Sequence, residues 1–181
     1  MSETALSITL FIHITFIAIW VGSQVLAAAA VVPSVQRIEQ GAVRLDTLET
    51  FSRKFNHIAW GAVVVIIITG GIMLDTRIDD VKAITGGDSI FDLRWGFIFA
   101  VKMSIFILML AVVALHSFVF GPRLLDLNRQ ALRDDSATTQ TNLQTLRRKS
   151  IALSGAGLLL SIAVLGAGAF LANHGYSFVV A

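Results

Sequence analysis

The chemistry available to this 181-residue chain is concentrated in five side chains: His13, His57, His116, His174 and Lys102. There is no cysteine, so disulfides, thiolate metal sites and cysteine nucleophiles are excluded. Neutral imidazole is a good axial ligand for haem iron. Two imidazoles from facing helices give a six-coordinate site suited to electron transfer. Lys102, Met109 and His116 recur at intervals of seven, so a helix carries all three on one stripe. They sit in the apolar run Phe97 to Phe120, and an ionisable residue in such a run is a candidate functional residue.

Four elements must position these groups. About 20 apolar residues span a bilayer as a helix, and the expected spans are about 6–32, 56–74, 97–120 and 151–173. Pro33 is expected to stop the first span, and Gly121-Pro122 the third. Between them the sequence reads as a polar loop after Pro33, a polar connection over 75–92 and a basic connection over 123–149. Thr85-Gly86-Gly87-Asp88 reads as a turn, and 134–141 as a polar, mobile middle. The expected fold is all-α: a single integral membrane domain over 1–181, built as an antiparallel four-helix bundle.

Composition supports this. Hydrophobic residues make up 55% and charged residues only 14%, which excludes an ordinary soluble domain. The net charge of +2 is too small to imply nucleic acid. The start, MSETAL, lacks the basic region of a cleaved signal peptide. Ten of the fourteen basic residues fall in the first and third connections, which places those in the cytoplasm and both termini outside. The location implied is a bacterial inner membrane, with the lipid bilayer as first partner.

Antiparallel spans sort the histidines by depth. His13 and His174 form an expected outer pair, His57 and His116 an inner pair, about 20 Å apart by helical rise. Each pair is a candidate set of haem iron ligands. Gly61, four residues after His57, would let a flat macrocycle approach. Lys102 outside, and Arg53, Lys54 or Arg123 inside, would neutralise haem propionates. His13, Trp20 and Gln24 share a face of the first span, which is expected to look inward. Ser154, Gly157, Ser161 and Gly168 form a small-residue stripe that allows close approach of a helix or a cofactor. Simpler roles exist for the same residues: interfacial histidines, a snorkelling Lys102, a packing Met109, and Trp60 and Trp95 in an aromatic belt.

The first span reads His13-Ile-Thr-Phe16-Ile-Ala-Ile-Trp20-Val-Gly22. The second begins FSRKFNHIAWG and ends ITGGIML. The third has Lys102 early and His116 late, and Leu146-Arg147-Arg148 precedes the fourth. This pattern resembles the CopD-like superfamily of four-helix membrane domains, over nearly the whole chain. That superfamily includes copper-resistance protein D domains and HemJ-type protoporphyrinogen oxidases. The histidine, phenylalanine, tryptophan and glycine of the first span, with the third-span lysine, look especially like HemJ. In HemJ-like proteins that histidine and lysine are tied to haem b and activity, which here implies His13 and Lys102. The additional His57, His116 and His174 look more like a diheme cytochrome b that exchanges electrons with quinones or superoxide.

The leading expectation is therefore a membrane b-type cytochrome with one or two haem b groups, passing electrons to a quinone or a larger membrane redox complex. A HemJ-like oxidase is the first alternative. Copper transport is a lesser one, because Met73, Met103 and Met109 form no M-x-x-M cluster for a soft ion. A structural subunit without cofactor is the last.

Overall fold

The computed structural model describes residues 2–86, 89–134 and 136–179. Its elements are α1 (Glu3–Leu26), a π-helical turn (Ala27–Val31), α2 (Val32–Gln36), α3 (Gly41–Thr85), a 3-10 turn (Ile90–Asp92), α4 (Arg94–Leu115), a second π-helical turn (His116–Phe120), α5 (Gly121–Ala131), α6 (Ala137–Ala172) and α7 (His174–Ser177). Among the described residues, four continuous helical stretches are long and apolar enough to cross a membrane: Glu3–Gln36, Gly41–Thr85, Arg94–Ala131 and Ala137–Ala172. Phe11, Leu159, Phe118 and Ile107 are all more than 60% exposed, which fits a protein whose solvent is lipid. The protein is an all-α integral membrane protein, and its four long helices are consistent with a bundle.

Both prolines depart from expectation. Neither ends its helix. Each instead follows a π turn, Pro33 after Ala27–Val31 and Pro122 after His116–Phe120. The amide of Val32 bonds the Ala27 carbonyl and that of Gly121 bonds the His116 carbonyl, five residues back. Proline lacks an amide hydrogen and clashes with the carbonyl four residues earlier. A wider turn just ahead changes that register, and the helix runs on.

Two connections expected to be polar loops are also helical. The stretch from Gly41 enters α3 because Leu45, Leu48, Phe51 and Phe55 make an apolar stripe at helical spacing, and Phe51 and Phe55 touch at 5.6 Å between ring centroids. Residues 75–85 continue the same helix, because Leu74, Ile78 and Val81 repeat at i, i+4 and i+7. Of the expected turn, Gly87 and Asp88 lie outside the described residues; Gly86 has φ 74°, where glycine avoids the strain of a side chain. In 134–141, Asp135 lies outside the described residues. Ser136 accepts from the Thr139 amide at 3.3 Å, which caps α6 at a segment expected to be mobile.

The chain divides into two compact units. Unit 1 holds Met1–Val21, Trp60–Ile107 and Ser161–Ala181. Val81, Leu93 and Trp95 are its buried core, packed by Leu74, Ile78, Ile90, Phe99, Leu171 and Phe178. Trp95 stacks on Phe99 at 5.2 Å. The Arg94 amide donates to the Val179 carbonyl at 2.9 Å, which ties the tail to the start of α4. Unit 2 holds Gly22–Ala59 and Leu108–Leu160. There Leu132 packs on Gly41, and Arg129 joins α5 to α3 through Glu49 at 2.6 Å. That ion pair is exposed to solvent, which screens it, so it contributes little.

Gly96 is required by close approach. A β-carbon there would run into the Ile90 carbonyl, which is backbone and cannot move cheaply. Gly96→Ala is expected to cost about 1–3 kcal/mol and to lower the thermal unfolding midpoint of the detergent-solubilised protein. An unchanged midpoint would mean that the 3-10 turn does not pack on α4.

Candidate functional site

In unit 1 the apolar faces of four helices surround two ionisable residues. His13 of α1 points at α3: its Nδ1 lies 2.8 Å from Thr69 Oγ1. The Thr69 hydroxyl has one proton, and the Val65 carbonyl takes it at 2.7 Å. A carbonyl can only accept, so Thr69 is the donor there and the acceptor toward His13. With the Thr69 proton on that carbonyl, Nδ1 of His13 carries the ring proton, and Nε2 of the neutral ring keeps its lone pair. Gly70, beside Thr69, gives the ring its place, since a β-carbon there would sit 3.3 Å from His13 Cε1.

Lys102 of α4 reaches α6. A β-carbon on Gly168 would stand 3.7 Å from its Nζ. The ammonium thus lies over a helix surface bared by glycine. Two turns along α1 and α6, the Trp20 indole N–H donates to Ser161 Oγ at 3.0 Å, with both side chains buried. The candidate locus is made of three contacts: His13 with Thr69 joins α1 to α3, Lys102 with Gly168 joins α4 to α6, and Trp20 with Ser161 pins α1 to α6. The inward-facing stripe expected of His13 and Trp20 is observed.

The stack of unit 1 above this locus is apolar. Phe99, Leu74 and Leu171 lie one helical turn from Lys102, Gly70 and Gly168 respectively, and all three pack on the Val81, Leu93 and Trp95 core. Helical side chains lean toward the helix N-terminus, so Lys102 leans toward that core.

Unit 2 holds the inner histidines, in separate settings. His116 opens the second π turn and faces α6, where Ser150 Oγ is 3.5 Å from Nδ1 and Ser154 Oγ is 3.2 Å from Nε2. Both ring nitrogens meet hydroxyls of one neighbouring helix. Val113, one turn earlier, packs at 3.2 Å on the β-carbon position of Gly157. Lys102 and His116 thus both look to α6, and Met109 between them is 3% exposed, as one shared stripe requires. His57 is exposed, and its Nδ1–H donates to the Arg53 carbonyl of its own helix at 2.7 Å.

The remaining candidates are dispersed. Gly61 has open space about it, Arg53 and Arg123 are exposed, and His174 is an exposed residue of α7 whose ring packs on Phe178 at 4.8 Å. Among the described residues no group of three or more His, Asp or Glu stands ready for a metal ion. The small residues Ser154, Gly157, Ser161 and Gly168 each receive a group from α1 or α4. Sequence reasoning missed Thr69, Gly70 and Ser150. A threonine with two glycines at the end of an apolar run was the available signal for the first two.

Uniformly 15N-histidine-labelled protein is expected to show His13 in the Nδ1–H tautomer. Thr69→Val should turn that signal into a mixture of tautomers. An Nε2–H signal in the native protein would overturn the assignment. At the level of whole sequence, a family model described as Copper resistance protein D matches residues 49–171. No curated protein and no solved structure matches the chain. The matched range contains Thr69, Lys102, His116 and Gly168, and it begins after α1 and His13.

Proposed function

The chain belongs to the copper resistance protein D family of membrane proteins, and on that premise we propose that it is a membrane oxidoreductase with a single haem b centre at His13 and Lys102. The observation that carries this reading is the His13–Thr69 hydrogen bond, which leaves an imidazole lone pair facing away from its second-sphere partner. Ligating histidines characteristically have their other ring N–H held in this way. Lys102, on its glycine platform, is suited to a carboxylate such as a propionate. The donor set therefore fits haem: His13 would hold the iron, and Lys102 a propionate. Bound there, the group would supply one-electron chemistry whose potential follows its axial ligand and burial.

The protein's own residues do the rest. Thr69 holds the ring tautomer and its orientation. Trp20 and Ser161 lock α1 to α6. The apolar core around Trp95 keeps water from the lysine end, which strengthens the attraction of the ammonium for an anionic group. The arrangement favours one working centre over two. It suits the HemJ-like alternative, acting on a porphyrinogen, better than a two-haem wire. His116 has both nitrogens against serines, and His57 is turned to its own helix, so neither is arranged as half of an imidazole pair. Electron exchange with a quinone or a larger redox complex is compatible with a single centre.

Copper handling is the second reading, favoured by the family match. A copper ion would find one imidazole at this locus, and the nearby ammonium repels cations.

The discriminating experiment is a pyridine haemochrome assay with protein quantitation and metal analysis. About one haem per chain is expected, lost in His13→Ala and retained in His57→Ala and His116→Ala. Lys102→Ala should reduce haem retention and abolish rescue of a porphyrinogen-oxidase-deficient strain. Stoichiometric copper without haem would establish the second reading. Two haems, or a spectrum lost only in His116→Ala, would overturn the single-centre assignment.

A further inference from the structure

A cleft in unit 2 lies between α5 and the first turns of α6, with a volume of about 420 Å³. That is in the range of small-molecule sites. Arg123 and Lys149 supply its cations, and Gln130, Asn142 and Thr145 supply amide and hydroxyl groups. Leu127 and Leu146 are the apolar part of its wall. Asp126 is the one carboxylate on the lining, and it is bonded to Arg129 at 2.9 Å. Among the described residues, neither Arg123 nor Lys149 has an ion pair. The cleft therefore presents two uncompensated cations and three neutral hydrogen-bonding side chains.

Its place on the helices decides what fills it. Arg123 follows the apolar run of α4 and the second π turn, and Lys149 precedes the apolar run of α6. On those same helices Phe118 is 64% exposed and Ile151 is 63% exposed. Cations at the ends of apolar spans mark the depth of phospholipid headgroups. We propose that this cleft binds the phosphate headgroup of an anionic phospholipid. Arg123 and Lys149 contact the phosphate. Asn142, Thr145 and Gln130 contact the headgroup hydroxyls.

The π turn has a part in this. It carries α4 past Pro122 without a break, so Arg123 stays on a continuous helix instead of entering a loop. His116 opens that turn against Ser150, the neighbour of Lys149. The cleft is thus held by the same α4–α6 contact that buries Ser150.

Native mass spectrometry of the detergent-solubilised full chain tests the site, with dioleoylphosphatidylglycerol, dioleoylphosphatidylcholine and inorganic phosphate as probes. Phosphatidylglycerol is expected to be retained about 30-fold better than phosphatidylcholine, from about 5-fold per cation near the bilayer surface. Arg123→Gln and Lys149→Gln should each lower that preference about 5-fold, and the double variant should abolish it. The single variants keep the test decisive if the double variant misfolds. Arg77→Gln, in unit 1, should leave the preference unchanged. Equal retention of the two lipids, or a preference that survives both single substitutions, would overturn the proposal. Displacement of phosphatidylglycerol by millimolar inorganic phosphate would assign the cleft to a soluble phosphate instead.

Discussion

Small side chains along one face of α6 set the distances on which this molecule depends. Between helices in lipid there is little hydrophobic drive, so close packing and hydrogen bonding must hold them together. Gly157 lets Val113 approach, Ser161 receives the Trp20 indole, Gly168 makes room beneath Lys102, and Ser150 and Ser154 flank His116. Any larger residue at these positions would push α1 or α4 outward. The polar groups carried by those helices would then lose their partners in a medium that supplies no water to replace them.

That constraint separates the two basic side chains most suggestive of chemistry. Lys102 meets a glycine, which has no polar side chain to offer, so its ammonium remains available to a ligand. His116 meets two hydroxyls, so its ring is already engaged. The same helix face thus leaves one ionisable group open and occupies the other. His13 differs from both, because its partner Thr69 belongs to α3 and is committed as a donor to the backbone of its own helix. Directionality then passes from a helical carbonyl, through a hydroxyl, to the tautomer of an imidazole.

The ends of the helices are governed by separate physics. Both prolines are absorbed by a π turn, and both connections expected to be loops become helix where an apolar stripe persists. In unit 1 this produces an apolar core of Val81, Leu93 and Trp95, two turns along α4 from Lys102. In unit 2 it carries the basic residues outward on stiff helices, which keeps Arg123 and Lys149 facing one cleft. Charge patterning and helix continuity together make a surface that a flexible loop would not hold in place.

Much was legible in the amino-acid order alone. The four apolar runs, the inward face of His13 and Trp20, the shared stripe of Lys102 and His116, and the small-residue face of α6 all follow from hydropathy and the helical period. The family resemblance was legible too, from the residue motifs of the spans. The pairing of side chains was not legible, because period and hydropathy assign a residue to a face without naming what stands opposite. His13 could be placed looking inward, but only the packed helices put Thr69 against its Nδ1. His57 and His116 could be placed at one depth, but rotation about each helix axis turned one to its own backbone and the other to serines. The helix ends were misread for a related reason. Proline's effect depends on the register of the turn before it, and that register is set by the backbone hydrogen bonds of the folded chain.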